Sequence, residues 1–323
     1  MSRVILTFLF FIAISLCYGK ERCTDPSSNE STFDVFFPSA ARTNVNTIYI
    51  PFSLVGRLIV VQAQVDTQVG NFIVDTGAER LVLNEQYFKS DRGGMVVTTS
   101  GNTGIVSSAV KRTVDTLLID QLFVSNLEAH IVDLSHIEMK KNTRILGILG
   151  YNVFKDFELF IDFQNGRIVL SRLDSHGFRI DSLRAWEIPN DSLIFELKRH
   201  VIIVNGTINN VKVRLMLDSG AELNLIDRRV NRKVLDRFTI IKRVNLIGVG
   251  KKEVEVLAGT LSELQCGNQR CQSMNTLLTS MDDINSNFGV SLDGVLGYEF
   301  LNDRRVMINY KKRKLYFFGP LRS

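Results

Sequence analysis

Residues 72–83 read FIVDTGAERLVL, and residues 215–226 read LMLDSGAELNLI. Each copy places an acidic residue, a small hydroxyl residue, glycine and alanine between two apolar runs, a pattern that predicts a sharp turn between two buried strands. A buried carboxylate without a partner is energetically costly. The repeat supplies a partner, because Asp75 and Asp218 could meet face to face and share one proton.

The duplication extends beyond the two acidic turns. Up to the turns the matching segments lie 143 residues apart, and after them the spacing is 147. The matched segments are Leu58–Val61 with Val201–Val204, Ile148–Tyr151 with Val295–Tyr298, and Phe160–Arg167 with Met307–Lys314. A single Asp-Ser-Gly would indicate only a surface β-turn. Two copies in the same apolar frame predict two similar lobes, residues 47–175 and 191–323, joined by a polar linker over residues 176–190.

Short runs of β-branched and aromatic residues, separated by Gly, Asn and Asp, continue from Ile48 onward and indicate an all-β protein. Examples of predicted strands are Leu58–Val65, Asn71–Val74, Met95–Thr99, Val114–Ile119 and Glu128–Val132. The few helices expected are short: Asn84–Lys89, Asn152–Asp156, Asp227–Arg237 and Glu299–Asp303. At 323 residues the chain is long enough for each lobe to bury a core of its own.

The first residues differ from the rest of the chain. Arg3 precedes the apolar run Val4–Cys17, and small residues follow at the positions that a signal peptidase reads. We therefore expect a signal peptide over residues 1–19 and an exported protein, secreted or periplasmic, with a lipid anchor at Cys17 as the alternative. The polar residues 20–46 are interpreted as a loose N-terminal segment, and a propeptide is the other interpretation.

Cysteine, histidine and charge exclude several classes of function. Cys266 and Cys271 could close a disulfide across a hairpin in an exported chain, which leaves Cys23 free or paired with another molecule. No His or Cys spacing fits a metal site, so we expect neither metal nor cofactor and interpret the histidines as structural or surface residues. The charge of +5 is spread along the chain, and clusters such as Lys311–Lys314 are read as solvated hairpin faces, which argues against nucleic acid as a partner.

At the doubled Asp-Thr/Ser-Gly-Ala turns the sequence resembles the aspartic protease superfamily, and its retropepsin-like branch more than its pepsin branch. Each half also carries that family's apolar-apolar-Gly element, here at Leu149-Gly150 and Leu296-Gly297. The resemblance covers residues 47–318 and implies an all-β, two-lobed aspartic protease fold with internally duplicated, barrel-like lobes. Pepsins place a tyrosine in their first flap, and none occurs around Ser100–Gly104.

The resemblance implies a function and a set of site residues. Asp75 and Asp218 would be the catalytic pair of an aspartic endopeptidase, one as general base on a water and the other, protonated, polarising the scissile carbonyl. The supporting residues of the two loops would be Thr76, Gly77, Ala78, Ser219, Gly220 and Ala221. The flap and substrate-binding residues would be Gly101, Asn102 and Gly104, with Gly248 and Gly250 in the second lobe, where an ordinary hairpin turn is the alternative.

The residues also indicate how the site is assembled. Glycine after each acidic pair allows the two loops to approach closely, and the hydroxyls of Thr76 and Ser219 could hydrogen-bond across the lobe interface. Because Ala78 and Ala221 lack a hydroxyl that would stabilise an ionised carboxylate, activity is expected to be maximal at about pH 4 to 6. We expect a monomer acting on a peptide or protein substrate. The alternatives are a peptide-binding module with weak turnover and a two-carboxylate glycosidase.

Overall fold

The computed structural model describes residues 46–89, 96–101, 104–181, 187–247 and 253–319, together with the dipeptides Leu6–Thr7 and Ala13–Ile14. Apart from these dipeptides, the predicted signal peptide and the N-terminal segment up to residue 45, with Cys17 and Cys23, lie outside the described residues. The linker prediction, 176–190, is described only in part. No helix within the described ranges is both long enough and apolar enough to span a bilayer.

The described residues form many strands and a few short helices, which confirms the all-β prediction. The strands are β1 (Leu6–Thr7), β2 (Ala13–Ile14), β3 (Thr47–Pro51), β4 (Ser53–Val55), β5 (Leu58–Val65), β6 (Gln68–Val74), β7 (Leu81–Asn84), β8 (Val96–Gly101), β9 (Gly104–Ile119), β10 (Leu122–Val132), β11 (Gly147–Leu149), β12 (Phe157–Asp162), β13 (Arg167–Arg172), β14 (Asp191–Ile194), β15 (Glu196–Lys198), β16 (Val201–Ile208), β17 (Val211–Leu217), β18 (Asn224–Asp227), β19 (Phe238–Ile247), β20 (Glu253–Leu261), β21 (Leu264–Cys266), β22 (Gln269–Cys271), β23 (Met274–Thr279), β24 (Gly294–Leu296), β25 (Arg305–Asn309) and β26 (Lys314–Phe318). The helices are α1 (Ser135–Lys141), α2 (Tyr151–Phe154), α3 (Arg232–Leu235), α4 (Asp282–Phe288) and α5 (Tyr298–Leu301).

The repeat seen in the sequence reappears as repeated sheet topology. The N-terminal lobe contains the strand order β10-β7-β11-β6-β5, and the C-terminal lobe contains its equivalent, β23-β18-β24-β17-β16. In both, the short strand after the long connection runs parallel to one neighbour and antiparallel to the other: β11 between β6 and β7, and β24 between β17 and β18. The first sheet also closes on itself through pairing of β9 with β5, which gives the lobe its barrel-like form.

A third sheet joins the two lobes. Its order is β14-β26-β25-β12-β13-β3, so three strands of the C-terminal half lie next to three strands of the N-terminal half in one hydrogen-bonded layer. The junction is the antiparallel pair β12 and β25, where Leu159 lies opposite Ile308. Both residues are buried in the main apolar core, which includes side chains of both lobes. The lobes are therefore held together beneath the acidic turns by backbone hydrogen bonds as well as by apolar packing.

Two helix predictions differ from the structure. Asn84–Lys89 is not a helix: β7 ends at Asn84, whose side-chain oxygen accepts hydrogen bonds from the backbone N–H groups of Gln86 and Leu134 and so holds a turn. In Asp227–Arg237 only α3 is helical, beginning after Asn231, which caps it by accepting from the N–H of Lys233. Helices α1 and α4 were not expected from the sequence.

The structure also contradicts the predicted disulfide. Cys266 and Cys271 are buried free thiols on the paired strands β21 and β22. The hairpin register places Cys266 opposite Gln269 and Cys271 opposite Leu264, so the two cysteines are diagonal neighbours rather than a facing pair. Burial raises the pKa of the Cys266 thiol to about 12, which disfavours the reactive thiolate.

Candidate active site

Each acidic residue follows the end of a fully buried strand. Asp75 comes directly after β6 and Asp218 directly after β17, and both side chains are completely buried. Their backbone N–H groups donate to the last carbonyl of the neighbouring parallel strand: Asp75 N to Leu149 O at 3.0 Å and Asp218 N to Leu296 O at 2.9 Å. The carboxyl ends of these parallel strands therefore bring both acidic turns to the lobe interface.

Two glycines allow the turns to interlock. A Cβ at Gly77 would lie 2.6 Å from Cγ of Asp218, and a Cβ at Gly220 would lie 2.4 Å from Cγ of Asp75. Real Cβ contacts are not this short, so any larger residue would push the facing carboxyl group away. Each lobe thus leaves space for the carboxylate of the other, as the close-approach interpretation of the sequence requires.

The hydroxyl residues next to the acids are exchanged between the lobes. The backbone N–H of Thr76 donates to Oγ of Ser219, and the N–H of Ser219 donates to Oγ1 of Thr76, both at 3.0 Å. The Ser219 hydroxyl in turn donates to the carbonyl of Val74 at 2.9 Å. These buried bonds fix the relative position of the two loops, because breaking one would leave a backbone N–H unsatisfied.

The two carboxyl groups have similar but unequal surroundings. Oδ1 of Asp75 accepts from the N–H of Gly77 at 2.7 Å and of Ala78 at 3.0 Å, whereas Oδ1 of Asp218 accepts from Gly220 at 2.8 Å with no counterpart of the Ala78 bond. Oδ2 of each residue accepts no hydrogen bond from a described residue, and each carboxyl group shifts the pKa of the other. The pair is thus arranged to share a proton.

The pKa values follow from this arrangement. Burial raises the pKa of Asp75 to about 6, against the lowering effect of its hydrogen bonds to Asp218 and to the backbone. Burial, followed by the charge of Asp75, raises the pKa of Asp218 well above its ordinary value. The extra backbone donor at Ala78 favours the ionised form of Asp75, so Asp218 is the group that favours the proton, although the titration belongs to the pair.

The apolar-apolar-Gly elements pack against the backbone of the two acidic loops. A Cβ at Gly150 would meet the Arg80 carbonyl at 2.4 Å, and one at Gly297 would meet the Ala221 carbonyl at 2.3 Å. The next residues, Tyr151 and Tyr298, donate their N–H groups to the Ala78 and Ala221 carbonyls, both at 2.8 Å. Their rings then cross to the other lobe: Tyr151 contacts Tyr310 with centroids 5.0 Å apart, and Tyr298 contacts Phe163 at 5.8 Å.

Sequence reasoning missed Arg57 and His200, which stand 143 residues apart before β5 and β16. Arg57 forms an ion pair with Glu299 of the other lobe at 2.7 Å. His200 is completely buried, 3.9 Å from Glu79 of the other lobe, with neither ring nitrogen in a hydrogen bond of normal geometry to a described residue. The spacing of the repeat could have identified them, since it makes Arg57 and His200 equivalent positions in the two lobes.

The predicted flap residues are only partly described. Gly101 and Gly104 pair with each other at the tip of the β8–β9 hairpin, and Asn102 lies outside the described residues. In the second lobe, β19 and β20 pair as far as Ile247 and Glu253, while Gly248 and Gly250 lie outside the described part of the chain. The strands that flank each segment therefore pair antiparallel, and the role of the segments in binding substrate stays a prediction.

Comparison with known proteins agrees with this geometry. A family model described as aspartyl protease matches residues 204–300, which contain the second acidic turn. Among solved structures, the aspartic proteinase from Irpex lacteus matches with a TM-score of 0.51 at 13% identity, covering 84% of this chain and 97% of that chain. No curated protein sequence matches significantly. The structural likeness is one of fold, and the family model adds a sequence match over the part of the chain that carries the second acidic turn.

Proposed function

We propose that the protein is an exported aspartic endopeptidase that hydrolyses peptide bonds with a water activated between Asp75 and Asp218. The observation that carries the proposal is the pair itself: two fully buried carboxyl groups at the lobe interface, both with raised pKa values, each seated against the glycine of the opposite loop. A structural role alone does not account for burying two carboxyl groups against each other at a lobe interface.

The asymmetry of the pair defines the roles in the proposed reaction. The Asp75 carboxylate takes a proton from water, and the resulting hydroxide attacks the carbonyl carbon of the peptide bond. Asp218 gives its proton to the carbonyl oxygen, which yields a neutral gem-diol. When the C–N bond breaks, the nitrogen takes the proton from Asp75 and one hydroxyl of the diol returns its proton to Asp218. The pair ends the cycle with one proton, as it began.

Export is proposed from the sequence of residues 1–19, an apolar run preceded by Arg3. Expression of the full chain in a host with a secretory pathway, followed by N-terminal sequencing of the protein outside the cytoplasm, tests it. A new N-terminus near Lys20 is the expected result. Protein that retains Met1 inside the cell would contradict export without bearing on the acidic pair.

The catalytic proposal is tested with Asp75→Asn and Asp218→Asn. Each change keeps the shape of the side chain and removes the shared proton, so we expect cleavage of a peptide library to fall roughly 10⁴-fold. Because the two groups act as a unit, the double variant is expected to be no worse than either single one. The matched control is Asp115→Asn, at an exposed position of β9. Wild-type turnover in either site variant would refute the mechanism. Binding without cleavage by the wild type would favour a peptide-binding module.

A further inference from the structure

A cavity of about 500 Å³ opens at the lobe interface, mostly within the C-terminal lobe. Its wall begins with Glu222 and Leu223, which follow Asp218 on the same loop. The turn before β5 of the other lobe closes one end with Gly56 and Arg57. The cavity therefore spans the lobe interface and continues directly from the catalytic loop, which is where the side chain of a peptide lying across the pair would reach.

The floor of the cavity is apolar. Leu223, Val244 and Leu277 are buried, and Ala258 between them is small. Gly259 has no space for a side chain, because a Cβ there would lie 2.2 Å from the Thr239 carbonyl. A space of this size takes a large apolar side chain together with part of the neighbouring peptide, and its branched aliphatic lining offers little to a strongly hydrated side chain.

The rim is cationic. The pairing of β19 with β20 shifts register between Ile240 and Lys242, and this bulge brings both Ile241 and Lys242 to the cavity. The other charges here are already paired: Glu222 with Lys141 at 2.5 Å, and Arg57 with Glu299 at 2.7 Å. Lys242 forms no ion pair with any residue in the described part of the chain.

The N-terminal lobe has no equivalent apolar surface. The strand register makes the positions comparable: Val82 lies opposite His130, which lies opposite Lys111, just as Leu225 lies opposite Leu277, which lies opposite Ala258. Where the C-terminal lobe has Leu223, Ala258 and Asn275, the N-terminal lobe therefore has Arg80, Lys111 and Glu128. Both cations of that set pair with Glu128. An ionic cluster fills the place that corresponds to the cavity.

We propose that this cavity is the pocket that selects the substrate, holding one large apolar side chain of the bound peptide while Lys242 favours an acidic residue beside it. The inference rests on the proposed function and adds that selection is one-sided. The peptide is recognised by an apolar pocket on the C-terminal side of the pair, and the counterpart on the other lobe is closed by Arg80, Lys111 and Glu128.

The experiment measures kcat/KM for internally quenched peptides in which one position at a time is Leu, Phe or Ala and its neighbour is Glu, Gln or Lys. Two variants narrow the pocket: Ala258→Phe places a ring in it, and Ala258→Lys installs the residue of the other lobe. Glu255→Phe, at an exposed site of the same strand that does not line the cavity, is the control. Lys242→Glu reverses the charge at the rim. Its matched control is Arg243→Glu, the same reversal one residue along.

For the wild type we expect a 10- to 100-fold preference for Leu or Phe over Ala at one position, of the size that burying a few methylene groups provides. Both Ala258 variants are expected to reduce that preference to about threefold or less, while Glu255→Phe retains it. Lys242→Glu is expected to change the ratio of Glu to Lys peptides by about tenfold in favour of Lys, and Arg243→Glu to leave it unchanged.

Binding of the same peptides to the Asp75→Asn, Asp218→Asn double variant separates this proposal from the proposed function. Cleavage by the wild type with a preference that Ala258→Phe does not alter would overturn the pocket and leave the peptidase intact. No cleavage, combined with apolar-selective binding that Ala258→Phe abolishes, would support the pocket and overturn the peptidase. If the wild type does not cleave the peptides and the double variant does not bind them selectively, both the peptidase and the pocket are overturned.

Discussion

The two halves of the candidate active site are nearly identical around the carboxyl groups and differ in the residues that surround this centre. Around the carboxyl groups each loop repeats the same glycine contact and the same exchange of hydroxyl hydrogen bonds. Farther from the carboxyl groups, Arg57 pairs with Glu299 at a half-exposed position. Its counterpart His200 is buried, and its ring contacts the rings of Tyr151 and Phe288. The geometry that the shared proton requires is thus symmetric, and the surroundings that tune charge and recognition are not.

The largest effect is expected where the halves are most alike. Gly77→Ala and Gly220→Ala each place a methyl group within 2.7 Å of the facing carboxyl atoms, so we expect each to destabilise the fold by about 3 kcal/mol and to abolish cleavage. Denaturant unfolding at fixed pH measures this. Gly289→Ala is the control: φ there is +59° but nothing lies within 4 Å, so only about 1 kcal/mol is expected. A large difference between Gly77 and Gly220 would break the symmetry of the centre.

The next prediction concerns how the stability of the fold depends on pH through the buried His200, with its counterpart Arg57 as the comparison. Burial lowers the pKa of His200 to about 3 in the folded state, below its ordinary value near 6.5. The unfolded chain therefore binds a proton that the folded chain excludes, and stability falls as the pH decreases from 6.5. Between pH 6.5 and 4.5 we expect the wild type to lose about 2.5 kcal/mol more than His200→Phe, which cannot titrate.

Denaturant unfolding as a function of pH tests this, with Arg57→Gln as the counterpart variant. Its stability curve is expected to run parallel to that of the wild type, because the buried histidine is still present. If the curve of His200→Phe also ran parallel to the wild type, then the ring would be protonated or hydrated in the folded protein.

A smaller effect distinguishes the two hydroxyl residues. Ser219→Ala removes the acceptor of the Thr76 N–H and the donor to the Val74 carbonyl, whereas Thr76→Val removes only the acceptor of the Ser219 N–H. We expect a loss of about 2 kcal/mol for Ser219→Ala and about 1 kcal/mol for Thr76→Val, since each buried group left unpaired has a cost. Thermal unfolding of both variants provides the comparison, and equal losses would mean that the Ser219 to Val74 bond contributes nothing.

The symmetric centre could be predicted from the sequence, and the asymmetric surroundings could not. The acidic turns stand in a strong local pattern, and their repetition indicates that Asp75 and Asp218 face each other. His200 and Lys242 carry no such signal, because their roles depend on which strands pair and in what register. The bulge at Ile240 and the mutual pairing of the β21–β22 hairpin, which separates the two cysteines, are likewise tertiary facts that composition and periodicity do not encode.

The last prediction concerns the pH dependence of cleavage and compares Ala78 with Ala221. Activity requires one proton on the pair, so the rate falls when the pH decreases enough to add a second. With the pKa of Asp75 raised to about 6 and that of Asp218 raised well above its ordinary value, the acidic limb of kcat/KM is expected near pH 6. The maximum then lies at the upper end of, or above, the range of about pH 4 to 6 expected from the sequence.

A hydroxyl introduced beside a carboxylate lowers its pKa by hydrogen-bonding to the ionised form. Asp218 lacks the counterpart of the Ala78 bond to Asp75, so Ala221→Ser is expected to move the pH profile further toward acid than Ala78→Ser does, by about half a pH unit. The alkaline limb moves most in Ala221→Ser, because Asp218 is the group that gives up the shared proton last. A maximum near pH 2 in the wild type, or equal shifts in the two variants, would show that the difference in backbone donors does not control where the proton resides.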